Sequence, residues 1–240
     1  MTDAEAGRVA VVTGGTRGIG EAIARRLARD GFSVVISGHS KRSVSEALDR
    51  FGKQGLSIAG RVADAASDED QTALVRFAAQ EKGRLDVLVN NAGIGEFGPV
   101  DELSSDQFRS VLETNLFGPF YAIRAAAPLM KKSGGGFIVN IASLASVNPF
   151  AGGSAYNASK FGLLGLSDSA MLDLRHSGIR VAAVLPGSVA TEFGGSHGGR
   201  ESSWMLSPDD VAQAVADLVR FPDRAIPSRI DLRPSRPPKK

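Results

Sequence analysis

The sequence predicts a single doubly wound α/β domain, with a seven-stranded parallel sheet and helices on both faces. Short runs of β-branched residues alternate with longer segments of helical period, and most of those runs are apolar at consecutive positions, as strands buried on both faces must be. Size agrees with this: 240 residues, 42% hydrophobic and 22% charged, can bury one sizeable core. One domain over residues 1–240 is expected, with loose ends over 1–7 and 234–240.

The expected strands, in order, are "RVAVVT" (8 to 13), "SVVIS" (33 to 37), "LSIAGRV" (56 to 62), "DVLVN" (86 to 90), "GFIVNIA" (136 to 142), "IRVAAVL" (179 to 185) and "RIDLR" (229 to 233). A helix opens at Ser207-Pro208, where the serine can cap and the proline needs no N–H. A long helix is expected from about Ser105 to Lys131, and Pro119 sits awkwardly inside it, because a proline leaves the Asn115 carbonyl four residues earlier without its donor. The glycine- and serine-rich stretch "GGSHGGRESS" (194 to 203) belongs to a substrate-covering lid over 192–206, whose apolar edge is Trp204, Met205 and Leu206.

Composition removes several functions. With no cysteine there is no disulfide or thiolate chemistry, and His39, His176 and His197 lack metal-ligand spacing, so no metal is expected. A net charge of +2 is too small to argue for nucleic acid, and the basic tail "RPSRPPKK" accounts for much of the pI near 9.0. The start "MTDAEAGR" lacks the features of a signal peptide, and no apolar run reaches membrane-spanning length, so a cytoplasmic protein without a membrane partner is expected.

In an open parallel sheet ligands bind at the carboxyl ends of the strands. The first strand ends in "TGGTRGIG", where Gly14, Thr16, Arg17, Gly18, Ile19 and Gly20 form a tight turn into a helix whose free N–H groups can face a pyrophosphate. The second strand ends in "SGHSKR", placing His39, Ser40, Lys41 and Arg42 where a carboxylate would hold the ribose of NAD. No acid is present there, so with Arg17 in reach the expected cofactor is NADP(H). "YNASK" (156 to 160) stacks Tyr156 and Lys160 on one helical face. A cation about 4 Å from a phenolate is worth roughly 4 kcal/mol at an effective dielectric of 20, enough to pull the phenol's pKa down from about 10 toward neutrality.

Together, "TGGTRGIG", "NNAG" (90 to 93), Asn115, Ser143, "YNASK" and "PG" (186 to 187) resemble the short-chain dehydrogenase/reductase family, in its order and near its spacing, from Arg8 to about Leu232. The resemblance implies a Rossmann fold and an oxidoreductase moving hydride between NADP(H) and a ketone or secondary alcohol. It makes Asn115, Ser143, Tyr156 and Lys160 catalytic: Tyr156 the proton donor, Ser143 the substrate's hydrogen-bond partner, Lys160 a holder of the nicotinamide ribose. It also makes the Asn115 main-chain oxygen the holder of a water linking Lys160 to solvent. By the same resemblance Asp64 and Ala65 meet the adenine, Asn91, Ala92 and Gly93 line the cofactor cleft, and Pro186, Gly187, Val189 and Thr191 grip the nicotinamide carboxamide. A homodimer or homotetramer is implied. Ketoacyl reductases are the nearest subclass over the first two thirds, whereas the ending "IDLRPSRPPKK" departs from them. A sugar-nucleotide epimerase or dehydratase would have closer glycine spacing and a larger C-terminal domain. A non-catalytic dinucleotide sensor would be free to lose Ser143, Tyr156 or Lys160.

Overall fold

Seven strands run parallel in the order β3-β2-β1-β4-β5-β6-β7: β1 (Val9–Val12), β2 (Ser33–Gly38), β3 (Ile58–Val62), β4 (Val87–Asn90), β5 (Gly136–Ile141), β6 (Ile179–Pro186) and β7 (Arg229–Leu232). This computed structural model describes residues 7–80, 83–193 and 203–238. Each expected strand is present, with ends moved by at most two residues. The expectations for residues 1–7 and for the middle of 192–206 fall largely outside the described residues, whereas 234–238 is described and lies outside helix and strand.

Helices α1 (Gly18–Arg29), α2 (Lys41–Lys53) and α7 (Pro208–Val219) cover one face of the sheet, with Ile23, Leu27, Phe51, Val211 and Leu218 packed on Ala10, Val12, Ile36, Val139 and Val184. Helices α3 (Asp68–Gln80), α5 (Gly118–Lys132) and α6 (Ser154–Leu174) cover the other, with Leu74, Ala126 and Met130 on Val9, Val11, Leu88 and Ile138. The alternation of the strands thus sorts successive residues of β1 into two separate cores, which is why its run is apolar throughout. The edge strands are less buried than the sequence predicts: β3 and β7 are half-exposed, because each has a neighbour on one side only.

The long helix expected over 105–131 is three pieces. α4 (Ser105–Leu112), capped by Ser104 with Gln107, passes into a π-turn over Glu113–Phe117, and α5 begins at Gly118. The Gly118 N–H donates to the Glu113 carbonyl, five residues back, so the turn carries one extra residue. Pro119 follows in the first turn of α5, directly after the π-turn, and the backbone stays helical through the junction. The distortion at this point is the π-turn.

A buried polar ladder ties the sheet to α6. Asn90 Nδ2 donates to Asn140 Oδ1 (2.8 Å) across the β4–β5 pair, Asn140 Nδ2 to Ser167 Oγ (2.8 Å), and Ser167 Oγ to the Leu163 carbonyl (2.6 Å). All three side chains are buried, so each partner lost leaves a desolvated group. Asn140→Ala is expected to lower the free energy of unfolding by about 1–3 kcal/mol, read by urea denaturation, because it orphans Asn90. Unchanged stability would mean that the ladder contributes nothing.

Candidate active site

Strand order reverses between β1 and β4, whose connections leave in opposite directions and open a crevice at their carboxyl ends. Thr13 organises that crevice: its Oγ1 accepts from the N–H groups of Asn91 (3.0 Å) and Ala92 (3.1 Å). Asn91 Nδ2 returns bonds to the carbonyls of Thr13 (2.9 Å) and Gly14 (3.1 Å), and Ser37 Oγ accepts from the Gly14 N–H (3.3 Å). The glycine turn is thereby held against both β2 and β4. Gly18 has φ +56°, and a Cβ on Gly20 would collide with the Gly14 carbonyl and the Asn91 amide, so neither position accepts another residue without strain.

The residues present fit a dinucleotide. The N-terminus of α1 receives no side-chain cap from Arg17, which leaves its N–H groups available to an anion. Thr191 stands across the gap, its Cγ2 3.4 Å from where a Cβ of Gly18 would lie, so the segment after β6 faces the glycine turn. Gly93 keeps the floor open: a Cβ there would stand 3.2 Å from Asn115 Oδ1 and 3.8 Å from Lys160 Nζ. Pro186 ends β6, Gly187 donates to the Leu232 carbonyl (2.8 Å), and Val189 pairs with Leu206 in a short parallel bridge. Leu206 is thus buried structure, while Trp204 and Met205 are half-buried.

At the end of β2, His39 is exposed and Ser40 is occupied as the cap of α2, in a reciprocal box with Ser43. Arg42 pairs with Glu46 (2.8 Å) and Arg17 with Glu192 (3.3 Å), both solvent-exposed pairs that are weak enough to be given up to a phosphate. Asp64 Oδ1 accepts from the Ala66 N–H (2.9 Å), and the cap of α3 is Ser67, which accepts from Asp70. Asp64 therefore stays exposed at the end of β3, and Ala65 beside it meets α5 so closely that a Cβ on Gly118 would stand 2.5 Å from its carbonyl.

Four predicted residues converge beside this crevice. Ser143 leaves β5 and accepts from the Ala145 N–H (3.1 Å) in a short 3-10 turn. Tyr156 and Lys160 lie one turn apart in α6, with Lys160 Nζ 5.7 Å from the Tyr156 ring centroid. Asn115 comes from the π-turn: its Oδ1 accepts from the Ile94 N–H (2.8 Å), and its Nδ2 donates to the Ile94 carbonyl (2.9 Å) and to Ser159 Oγ (3.1 Å). Ser159 Oγ in turn donates to the Tyr156 carbonyl (2.8 Å). Sequence reasoning passed over Ser159 and Thr13, although a serine inside "YNASK" and a threonine closing the first strand were visible signals.

The electrostatics reverse one expectation. The Lys160 ammonium is buried 5.7 Å from the Tyr156 ring centroid and donates to the Ile141 carbonyl (2.9 Å). Burial pushes the Tyr156 phenol above its ordinary value, and the Ser143 hydroxyl bonded to it pulls back in part. Burial also brings Lys160 down to about 8. Desolvation is the largest influence on both groups.

The family described as short chain dehydrogenase matches residues 8–201. The rabbit dehydrogenase/reductase SDR family member 4 is 40% identical over 192 residues, 80% of this chain and 74% of that protein. An uncharacterized oxidoreductase, YxjF, of Bacillus subtilis is 38% identical over 186 residues, 78% of this chain and 72% of that one. Among solved structures, a metagenomic short-chain oxidoreductase in complex with NADP superposes with a TM-score of 0.85 at 36% identity, covering 98% of this chain and 100% of that chain. An alcohol dehydrogenase from the archaeon Thermococcus sibiricus, complexed with 5-hydroxy-NADP, gives 0.87 at 30% identity, covering 97% and 99%.

The lowered Lys160 pKa has a thermodynamic signature. Between about 8 and the ordinary lysine value the unfolded chain holds a proton that the folded chain has released, so folding stability rises with pH across that window and is flat below it. Relative to Lys160→Met, the wild type is expected to gain stability from pH 8 to 10 and to show no relative change from pH 6 to 8, followed by denaturant midpoints. A constant difference over the whole range would mean that the ammonium is solvated.

Proposed function

The chain belongs to the short-chain dehydrogenase family and is an NADP(H)-dependent oxidoreductase, and we propose that it reduces a ketone to a secondary alcohol. The observation that carries this reading is the convergence of Ser143, Tyr156 and Lys160 beside the uncapped helix at the glycine turn. The cofactor, when bound, supplies hydride to the carbonyl carbon. Tyr156 then gives its proton to the carbonyl oxygen, and Ser143 holds that oxygen by hydrogen bonding. Because burial raises the phenol's pKa, Tyr156 is protonated at neutral pH, the form that reduction needs.

Lys160 remains largely cationic at neutral pH and can hold a ribose hydroxyl. We infer that the Asn115 carbonyl, in the π-turn ahead of Pro119, holds the water that resupplies the proton. Ser40, Arg42 and Arg17 surround the place of the 2'-phosphate, and Asp64, Ala65, Asn91, Ala92 and Gly93 line the rest of the cleft. The exposed Phe117, Phe120, Phe161 and Leu172 on the π-turn, α5 and α6 favour a homo-oligomer. Among the described residues, no helix is long and apolar enough to cross a membrane.

Tyr156→Phe is expected to lower kcat for ketone reduction by about 10²- to 10⁴-fold while NADPH affinity is kept, measured by NADPH absorbance and by fluorescence titration. Retention of most of the turnover would remove Tyr156 from the role of donor. Arg42→Ala is expected to raise the Kd for NADPH about tenfold, equivalent to about 1.4 kcal/mol, and to leave that for NADH unchanged. An equal effect on both cofactors would place the 2'-phosphate elsewhere.

A further inference from the structure

Three loops that leave the sheet at successive strands each bring one phenylalanine to the Tyr156 ring. Phe97 follows β4, with its centroid 5.7 Å from that of Tyr156. Phe150 follows β5, 6.4 Å from Tyr156 and 5.9 Å from Phe97. Phe193 follows β6, 5.7 Å from Tyr156. Gly95 closes the ring of contacts, since a Cβ there would touch Phe97 Cζ at 2.6 Å and stand 3.2 Å from Phe193 Cε1. The loops are tied together where the Gly98 N–H donates to the Gly152 carbonyl (2.8 Å), just before α6.

These rings are not core. Phe97, Phe150 and Phe193 are 46%, 47% and 40% exposed, whereas Phe51 and Phe137 are fully buried. Their planes are tilted at 41 to 58° to one another, never stacked, so edges and faces remain open beside the phenol that any substrate carbonyl must reach. Charge adds a second constraint. Over the described residues 91–104, 142–153, 187–193 and 203–207 the loops carry Glu96, Asp101, Glu102 and Glu192 and no lysine or arginine; the intervening sequence adds Arg200 and Glu201, so the balance stays acidic. Among the described residues, nothing in these loops would pair with a phosphate or carboxylate on the substrate.

We propose that this aromatic box makes the enzyme selective for uncharged ketones bearing an aryl group close to the carbonyl, in preference to aliphatic ketones and to acyl groups on anionic carriers. The inference rests on the carbonyl-reductase reading above. Area burial alone cannot supply the preference, because a cyclohexyl group is at least as apolar as a phenyl group. What distinguishes them is the edge-to-face contact available to an aromatic ring among tilted neighbours, worth a few-fold to about tenfold in binding per ring pair.

The test compares kcat/KM with NADPH for four ketones: benzyl methyl ketone, its cyclohexylmethyl counterpart, the para-carboxy derivative of the benzyl compound, and biacetyl. A methylene removes conjugation between carbonyl and ring in the first pair, and the same ratio measured in the phenylalanine variants controls for the remaining inductive difference. The benzyl ketone is expected to exceed the cyclohexylmethyl ketone by about three- to tenfold, and the carboxylate to fall about tenfold below its neutral parent. Phe97→Leu and Phe193→Leu are expected to bring the benzyl-to-cyclohexylmethyl ratio toward one. A wild-type ratio at or below one, a ratio that neither substitution changes, or a preference for the carboxylate would overturn the proposal, and the wild-type comparison decides it even if both variants fail to fold. Turnover of biacetyl and the cyclohexylmethyl ketone without aryl preference would leave the reductase reading standing and remove only this inference. Turnover of none of the four would remove both.

Discussion

Lys160 carries its ammonium at a position 5% exposed and gives it to the Ile141 carbonyl, 2.9 Å away at the end of β5. A buried charge costs several kcal/mol in desolvation, and one carbonyl offsets only part of that, so the residue titrates near 8 instead of its ordinary value. The same dry surroundings raise the Tyr156 phenol one turn earlier in α6. Each group is thereby drawn toward its neutral form, which is the protonated form for the phenol and the deprotonated form for the lysine. At pH 7 the outcome is a protonated phenol above a largely protonated lysine, with the proton on the residue proposed as the donor.

Such a pair works only if α6 is held rigidly across the strand ends, and the surrounding polar groups do that. The Asn90–Asn140–Ser167 ladder fastens the middle of α6 to β4 and β5. Asn115 fastens its first turns through Ser159, and the same amide holds the loop at Ile94. The π-turn over Glu113–Phe117 belongs to this scheme: a single extra residue re-aims Asn115 inward without ending the helical stack, directly ahead of Gly118 and Pro119. Sheet topology does the rest, since the reversal between β1 and β4 puts the glycine turn, the "NNAG" loop and the exits of β5 and β6 around one crevice.

The fold was legible because strand burial on both faces writes itself into consecutive apolar residues, and β1 and β4 are buried along their whole length. Edge strands β3 and β7 read equally well but turned out half-exposed, since a run of residues does not say how many neighbours a strand has. The residues proposed as catalytic were legible from spacing. Their electrostatics were not: the i, i+4 placement of Tyr156 and Lys160 fixes a common helical face, yet the direction of the ammonium depends on where Ile141 ends in space. Thr13 and Ser159 escaped because small hydroxyl residues matter here through what they bridge, across 78 residues in the first case. The aromatic box escaped for the same reason, being built from three loops far apart in sequence.

The central claim is that burial is the largest influence on the ionisation of Tyr156. The chain has two tyrosines, so ultraviolet difference titration of Tyr121→Phe in the absence of cofactor reports Tyr156 alone. The phenolate is expected to appear with a midpoint above that of a free tyrosine, about 10. A midpoint below 10 in the cofactor-free protein would mean that Lys160 dominates, and would contradict that claim.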